Sequence, residues 1–443
     1  MIVSFLHLSI CLLAGIAVII VLTAKFRVHA FFALLIASFV VGLGVLLPAA
    51  TVMNAVKDGF GNIMRSLALI IVLGTTLGVL LEHTGATKVM SSFILRMVGE
   101  RKAPLAMSIT GFLVGLPIFC DSGYIVLSGV NNSLARRTGI SMAVMAGSLA
   151  TGLYSVHCLL PPHPGAAAAA GILGADFGKL MIMGIVVAIP AMIVGYLWAN
   201  YAGKNIPHED FEEKSNEEKI VKYPSVITSF LPVIIPILLI AVRAAFLTGT
   251  DKGSGWHQLL FLGDPAVALA IGVLLASNCR RNWTRKDLSA LLQEAAEKAG
   301  GILVIIGAGG AFGAVLAITE IGTHFSNSMP LGTMGMLFPF LLTVILKTAQ
   351  GSSTVAIITA ASIVLPLLPS LGLNTDNGKI ITVLSMGAGS MMVSHANDAY
   401  FWVIAKFSGL DMRSMLKVYT VASVLMGVVS LGMVYLLSLI LGA

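Results

Sequence analysis

Residues 104–130 read PLAMSITGFLVGLPIFCDSGYIVLSGV. The stretch is apolar and long enough to cross a bilayer, yet Gly115, Pro117, Asp121, Ser122 and Gly123 interrupt its middle. Its reading decides the topology. A single crossing would carry Arg136 and Arg137 to the outer side and invert every later loop. A re-entrant hairpin, entering and leaving on the cytoplasmic side, keeps both arginines inside. It also keeps the charged stretch 203–224 and the basic segment 280–298 inside, where excess Lys and Arg belong. A second interrupted region, 333–371, reads as a hairpin from the opposite side and brings Lys406, Arg413 and Lys417 inside too. Of the 27 Lys and Arg residues, the exceptions are Lys57, Arg65, Lys179, Arg243, Lys252, Lys347 and Lys379.

The rest of the chain fits a membrane setting. Of its 443 residues 57% are hydrophobic and 11% charged, against about 25% charged in an ordinary soluble domain. Mean hydropathy is +0.96. These values exclude a soluble enzyme, a disordered chain and a nucleic-acid binder. The net charge of +7 falls as single residues or pairs between apolar spans, so it marks topology and not a nucleic-acid partner. Cys11, Cys120, Cys158 and Cys279 lie in or beside apolar segments without CxxC or CxxH spacing, which suits small apolar residues better than disulfides or a metal site.

Spans are expected at 2–23, 29–50, 62–81, 139–160, 176–200, 225–247, 260–278, 299–319, 378–405 and 415–441. Each can cross a core of about 30 Å. The first lacks a basic leader and is followed at once by Lys25 and Arg27, so it reads as a retained helix with its N-terminus outside. The segment 203–224 reads as a solvated cytoplasmic linker, and 280–298 as an amphipathic helix on the membrane surface.

The two halves share a pattern. LGTTLGVLLEHTG (73–85) matches AGGAFGAVLAITEIG (308–322), pairing Gly74 with Gly309 and Gly78 with Gly313; Glu82 and Glu320 then close the helices. Gly174-Ala175-Asp176 matches Gly409-Leu410-Asp411 in the same order. The expected fold is an all-α polytopic membrane protein of two inverted repeats, each of about five transmembrane helices plus one re-entrant hairpin, with broken helices at the midplane. The first repeat covers 1–202, with hairpin 104–130 and broken helix 139–172. After the linker 203–224, the second covers 225–443, with hairpin 333–371 and broken helix 378–405. Inverted repeats with interrupted helices are typical of secondary transporters.

Four polar breaks interrupt the spans: Gly115–Gly123, Ser155–Gly165, Gln350–Thr354 and Ser394–Asp398. Unwound backbone at membrane depth is tolerable only against protein or a water-filled cavity, so the breaks point to one enclosed site. Helix N-termini suit a carboxylate. Ser122, Gly123, Ser155, His157, Gln350, Gly351, Ser352, Ser353, Thr354 and Asn397 are the candidate substrate ligands. Asp121, Asp398 and His395 are the candidates for proton coupling, as ionisable groups within the membrane. His163 reads equally as a helix bridge. Ser155, His157 and Asp121 can be drawn as a triad, but no GxSxG elbow is present, and His157 and His163 share no helical face for a metal. No enzyme, cofactor or metal is therefore expected. A passive anion channel is the distant alternative, disfavoured because no rings of like residues recur.

At these breaks the chain resembles the gluconate permease family of gluconate:proton symporters, which includes D-serine transporters. The markers are Val156-His157-Cys158-Leu159-Leu160-Pro161-Pro162-His163-Pro164-Gly165, Leu173-Gly174-Ala175-Asp176, Ile305-Ile306-Gly307-Ala308-Gly309-Gly310-Ala311-Phe312 and Gly351-Ser352-Ser353-Thr354-Val355-Ala356. The resemblance implies a multi-pass carrier of sugar acids in the bacterial inner membrane, a homodimer, and a scaffold with a moving transport domain. Members often carry Phe-x-Glu-Val-Gly where this chain has Phe119-Cys120-Asp121-Ser122-Gly123, and a Thr-Asp-type segment where it has Ser394-His395-Ala396-Asn397-Asp398. The expected function is proton-coupled import of a small hydroxylated carboxylate by alternating access. A carrier of D-serine or another small amino acid is the alternative, and sodium coupling is a third option because unwound carbonyls can coordinate sodium.

Overall fold

The computed structural model describes residues 5–206, 223–246, 260–280, 283–320, 332, 334–396 and 398–442. Most of the linker, and Asn397, lie outside the described residues. Among the described residues the architecture is all helical. In the first half α1 (Phe5–Ile20) runs into a π-turn at Val21–Lys25 and is followed by α2 (Ala30–Gly44), α3 (Ala49–His83) and α4 (Ala86–Val98). Then come α5 (Ala103–Gly115), α6 (Cys120–Thr138), α7 (Met142–Leu159), α8 (Pro164–Leu173) and α9 (Phe177–Gly203). The second half holds α10 (Val226–Phe246), α11 (Pro265–Ser277), α12 (Arg285–Ile318), α13 (Leu337–Gln350), α14 (Ser353–Val364), α15 (Asp376–Met391) and α16 (Ala399–Ser408). Last is α17 (Met412–Leu441), with a π-turn at Leu416–Thr420.

All four expected breaks are present. The first falls between α5 and α6, the second between α7 and α8, the third between α13 and α14, and the fourth between α15 and α16. Side chains set these ends locally. Ser352 caps α14 by accepting the Val355 N–H at 3.3 Å, and Asp398 caps α16 by accepting the Tyr400 N–H at 3.0 Å. Such a cap contributes about 1 kcal/mol. Gly351 ends α13 at φ 78°, a left-handed conformation that favours glycine.

Several span boundaries differ from expectation. The separate surface helix 280–298 and span 299–319 form one helix, α12, of 34 residues. Span 62–81 is the second part of α3, which begins at Ala49 and has 35 residues. At 1.5 Å per residue α3 is about 52 Å long, well beyond a core of about 30 Å. Both helices start with an amphipathic segment whose polar face hides its continuity with the apolar run. Helix α4 was not anticipated; it buries Met90 and Ile94 but is too polar and short to register as a span. Among the described residues seven stretches are long and apolar enough to cross a membrane: 6–23, 49–83, 142–173, 177–203, 226–244, 285–318 and 412–441. Helices α2 and α11 have 15 and 13 residues, and span 378–405 is divided.

Helices α3 and α12 cross at the centre. A Cβ on Gly310 would lie 2.8 Å from the Gly59 carbonyl oxygen, and one on Gly59 would collide with Gly310 O. The glycines of the repeated motif seat the hairpins. A Cβ on Gly78 would lie 2.7 Å from Pro117 O at the tip of α5–α6. Gly309 accepts the Ser362 hydroxyl of α14 at 2.6 Å.

Arg137–Glu100 (2.5 Å), His83–Glu294 (3.5 Å) and Lys298–Glu294 (2.7 Å) join segments assigned to the cytoplasmic side. Arg243–Asp264 (3.0 Å) joins segments assigned to the outer side. It borders an open cleft of about 520 Å³ that Asp176, Lys179 and Asp376 also line.

Candidate functional site

The four breaks meet. His163 precedes α8, and its Nε2 lies 2.7 Å from the Gly115 carbonyl oxygen at the end of α5. A carbonyl only accepts, so Nε2 carries the proton and ties the second break to the first. The His163 ring lies 5.0 Å from His157 and 6.3 Å from Phe119. The tip of the second hairpin packs on α8: a Cβ on Gly165 would lie 3.3 Å from Thr354 Cα.

At the fourth break Asp398 accepts Lys347 Nζ at 2.6 Å, and it also accepts the Ser394 hydroxyl. Lys347 Nζ donates in addition to Gly351 O at 2.9 Å. Lys347 is 0% exposed and Asp398 6%. Neither member of such a pair can be removed without stranding a charge in low dielectric. Ser394 is itself held by α17: its N–H donates to Ser423 Oγ at 3.1 Å, and Thr420 Oγ1 donates to its carbonyl at 2.6 Å. Thr420 ends the π-turn, whose Lys417 carbonyl accepts Trp198 Nε1 at 3.0 Å. Trp402 Nε1 donates to Ala396 O within the break at 2.7 Å.

Four buried tyrosines pack beside the breaks, mostly edge to face. Tyr400 lies 6.1 Å from Tyr124, 5.7 Å from Tyr154 and 5.7 Å from Tyr419. Tyr154 donates to Ser390 O at 3.1 Å and Tyr400 to Ala150 O at 3.2 Å, while Tyr124 bonds Ser408.

The expected site residues divide. Asp121 lies in the first turn of α6, with Cys120 Sγ at 3.6 Å, and the charges of Asp398 and Lys347 both reach it. Lys347 acts electrostatically on His157 as well. His157 stacks on Tyr154 at 6.4 Å, and its buried Nδ1 has no hydrogen-bond partner in the protein. Gln350, at the last residue of α13, buries both amide atoms without a partner. Gly351, Ser352, Ser353 and Thr354 form the adjoining tip, with Ser353 buried and Thr354 half-buried. His395 is half-buried, and its carbonyl accepts the Asp398 N–H at 2.8 Å.

Other candidates point elsewhere. Ser155 spends its hydroxyl on Gly152 O at 2.8 Å. A Cβ on Gly123 would lie 2.7 Å from Leu153, so this glycine serves packing. Ser122 lines a small cavity at the first break with Pro117, Ile118 and Phe119, closed by Glu82 near the end of α3 and by Lys298 within α12. Sequence reasoning missed Lys347 as a site residue and listed it only as an exception in the charge count. A lone lysine inside an apolar span was the available signal.

Interrupted helices meeting around buried ionised and unpartnered groups, in a multi-pass membrane protein, define a transporter. Solved transporters share the fold: the YdaH transporter of Alcanivorax borkumensis (TM-score 0.62, 16% identity, covering 90% of each chain) and MtrF of Neisseria gonorrhoeae (TM-score 0.59, 15% identity, 88% of this chain and 85% of that one). The chain belongs to the GntP family: the model described as GntP family permease matches residues 7–440. It is 32% identical to a gluconate permease of Pseudomonas aeruginosa over 436 residues, 96% of each chain. It is also 32% identical to the D-serine transporter DsdX of Escherichia coli (strain CFT073), over 97% of this chain and 98% of that one. Relatives are named permeases and transporters, in line with a carrier and not an enzyme.

Proposed function

We propose that this permease imports a small hydroxylated carboxylate, of the gluconate type, together with protons by alternating access. The observation that carries the reading is the unpartnered polar set at the meeting of the breaks: the Gln350 amide and His157 Nδ1 beside the second hairpin tip. Buried polar groups are ordinarily satisfied, and a hydroxylated anion supplies what these lack. Its carboxylate binds at the Gly351–Thr354 tip, His157 and Gln350 read hydroxyls, and Asp121 or Asp398 takes the proton. The frame for this motion is two inverted repeats, 1–202 and 225–443, in a bacterial inner membrane, with the N-terminus outside, the linker cytoplasmic and the carrier a homodimer.

A second reading is favoured by one finding: the D-serine transporter is as similar to this chain as the gluconate permease is. A small amino acid would place its ammonium against Asp398 or Asp121. The deciding experiment is uptake of labelled gluconate into proteoliposomes with an alkaline interior, with and without a protonophore. Accumulation that collapses with the protonophore is expected. Uptake of D-serine alone would move the substrate class, and uptake of neither would discard both.

A further inference from the structure

Resting on that transport reading, one feature deepens it: the Lys347–Asp398 pair is built into the second hairpin tip and not merely near it. Lys347 Nζ donates to the carbonyl of Gly351, the tip residue itself. An ammonium has three donors; Asp398 and Gly351 engage two, leaving a third. The unpartnered Gln350 amide lies three residues on, on the same helix end. Asp398, for its part, is held by Ser394 and the Tyr400 N–H, so it stays in place if Lys347 turns away.

We propose that Lys347 is the ligand of the substrate carboxylate and that the substrate opens the ion pair: its carboxylate takes Lys347, and Asp398 takes a proton from water. The charge balance explains the coupling. Before binding the pair holds one ammonium and one carboxylate. Afterwards it holds one ammonium, the substrate carboxylate and a neutral carboxylic acid. The net charge is zero in both states, and no uncompensated ion is left in low dielectric, where it would be strongly destabilising. The other groups facing Asp398 are Cys120 and Asp121 from α6, Tyr154 from α7 and Tyr419 from α17. None of these is a cation, and Asp398 is the carboxylate bonded directly to Lys347, so it is the first group to feel the loss of that ammonium. A substrate carrying its own ammonium would replace Lys347 at Asp398 and need no proton.

The test is binding of gluconate and D-serine to the purified full chain in weak buffer, with proton uptake read from a pH-sensitive dye. For the wild type we expect about one proton per gluconate bound and none per D-serine. D398N should bind gluconate without taking up a proton. K347Q should bind at least about tenfold more weakly, the loss of a charge-assisted hydrogen bond, and K347R should recover part of the loss. If K347Q does not fold, the double variant K347Q/D398N, which strands no charge, should fold and still bind gluconate weakly. Wild-type affinity in K347Q or in the double variant would overturn the assignment, as would proton uptake that survives in D398N. A wild type that binds neither compound would overturn the transport reading as well, so the two failures are distinguishable.

Discussion

Lys347 shows what a single residue contributes that no local pattern announces. Its partner Asp398 lies 51 positions away, and neither neighbourhood signals the other. From sequence, Asp398 is a lone intramembrane carboxylate; in the fold it is one half of a buried pair. His157 stands out in the sequence because an imidazole within an apolar run has few structural explanations, and in the fold its buried Nδ1 has no partner in the protein. Ser155 was misleading because a buried serine can satisfy itself on its own helix, as it does on Gly152. The pair also has a stability consequence. K347Q alone should cost about 3–5 kcal/mol, because it leaves Asp398 uncompensated, whereas K347Q/D398N should recover most of that. The midpoints of thermal unfolding in one detergent would show the order wild type, double variant, single variant.

At the scale of elements, the breaks were legible because proline, glycine and polar residues interrupt otherwise apolar runs, and backbone exposed in lipid has no alternative partner. The long helices were not. The start of α12 carries Arg285, Lys286, Asp287, Glu294 and Lys298, a surface-helix pattern, and only its packing on α3 shows that the helix continues. One of the repeated glycines acquires a physical reason, since Gly78 leaves room for the carbonyl of Pro117, and beside the repeat Gly310 leaves room for that of Gly59. Gly310→Val should therefore overpack the crossing by about 1–3 kcal/mol or more and lower the unfolding midpoint. Gly78→Val should displace the first hairpin tip, and the expected result is reduced gluconate uptake by a protein that still elutes as a folded species on size exclusion.

For the whole molecule, charge placement carries the argument. The exposed or half-buried ion pairs Arg137–Glu100, His83–Glu294, Lys298–Glu294 and Arg243–Asp264 contrast with Lys347 and Asp398, which are buried. If one proton accompanies each monovalent anion, a turnover moves no net charge. A potassium diffusion potential set with valinomycin should then leave gluconate accumulation unchanged at fixed pH difference, while the pH difference alone should drive it. A voltage-dependent rate would require a second proton or a sodium ion. The indole of Trp402, bonded to the Ala396 carbonyl, gives this cycle a natural optical witness. Any rearrangement of the segment between α15 and α16 must lengthen or break that bond. With Trp198, Trp256 and Trp283 replaced by phenylalanine, the emission of the remaining ring would follow the carrier through its states without an attached dye.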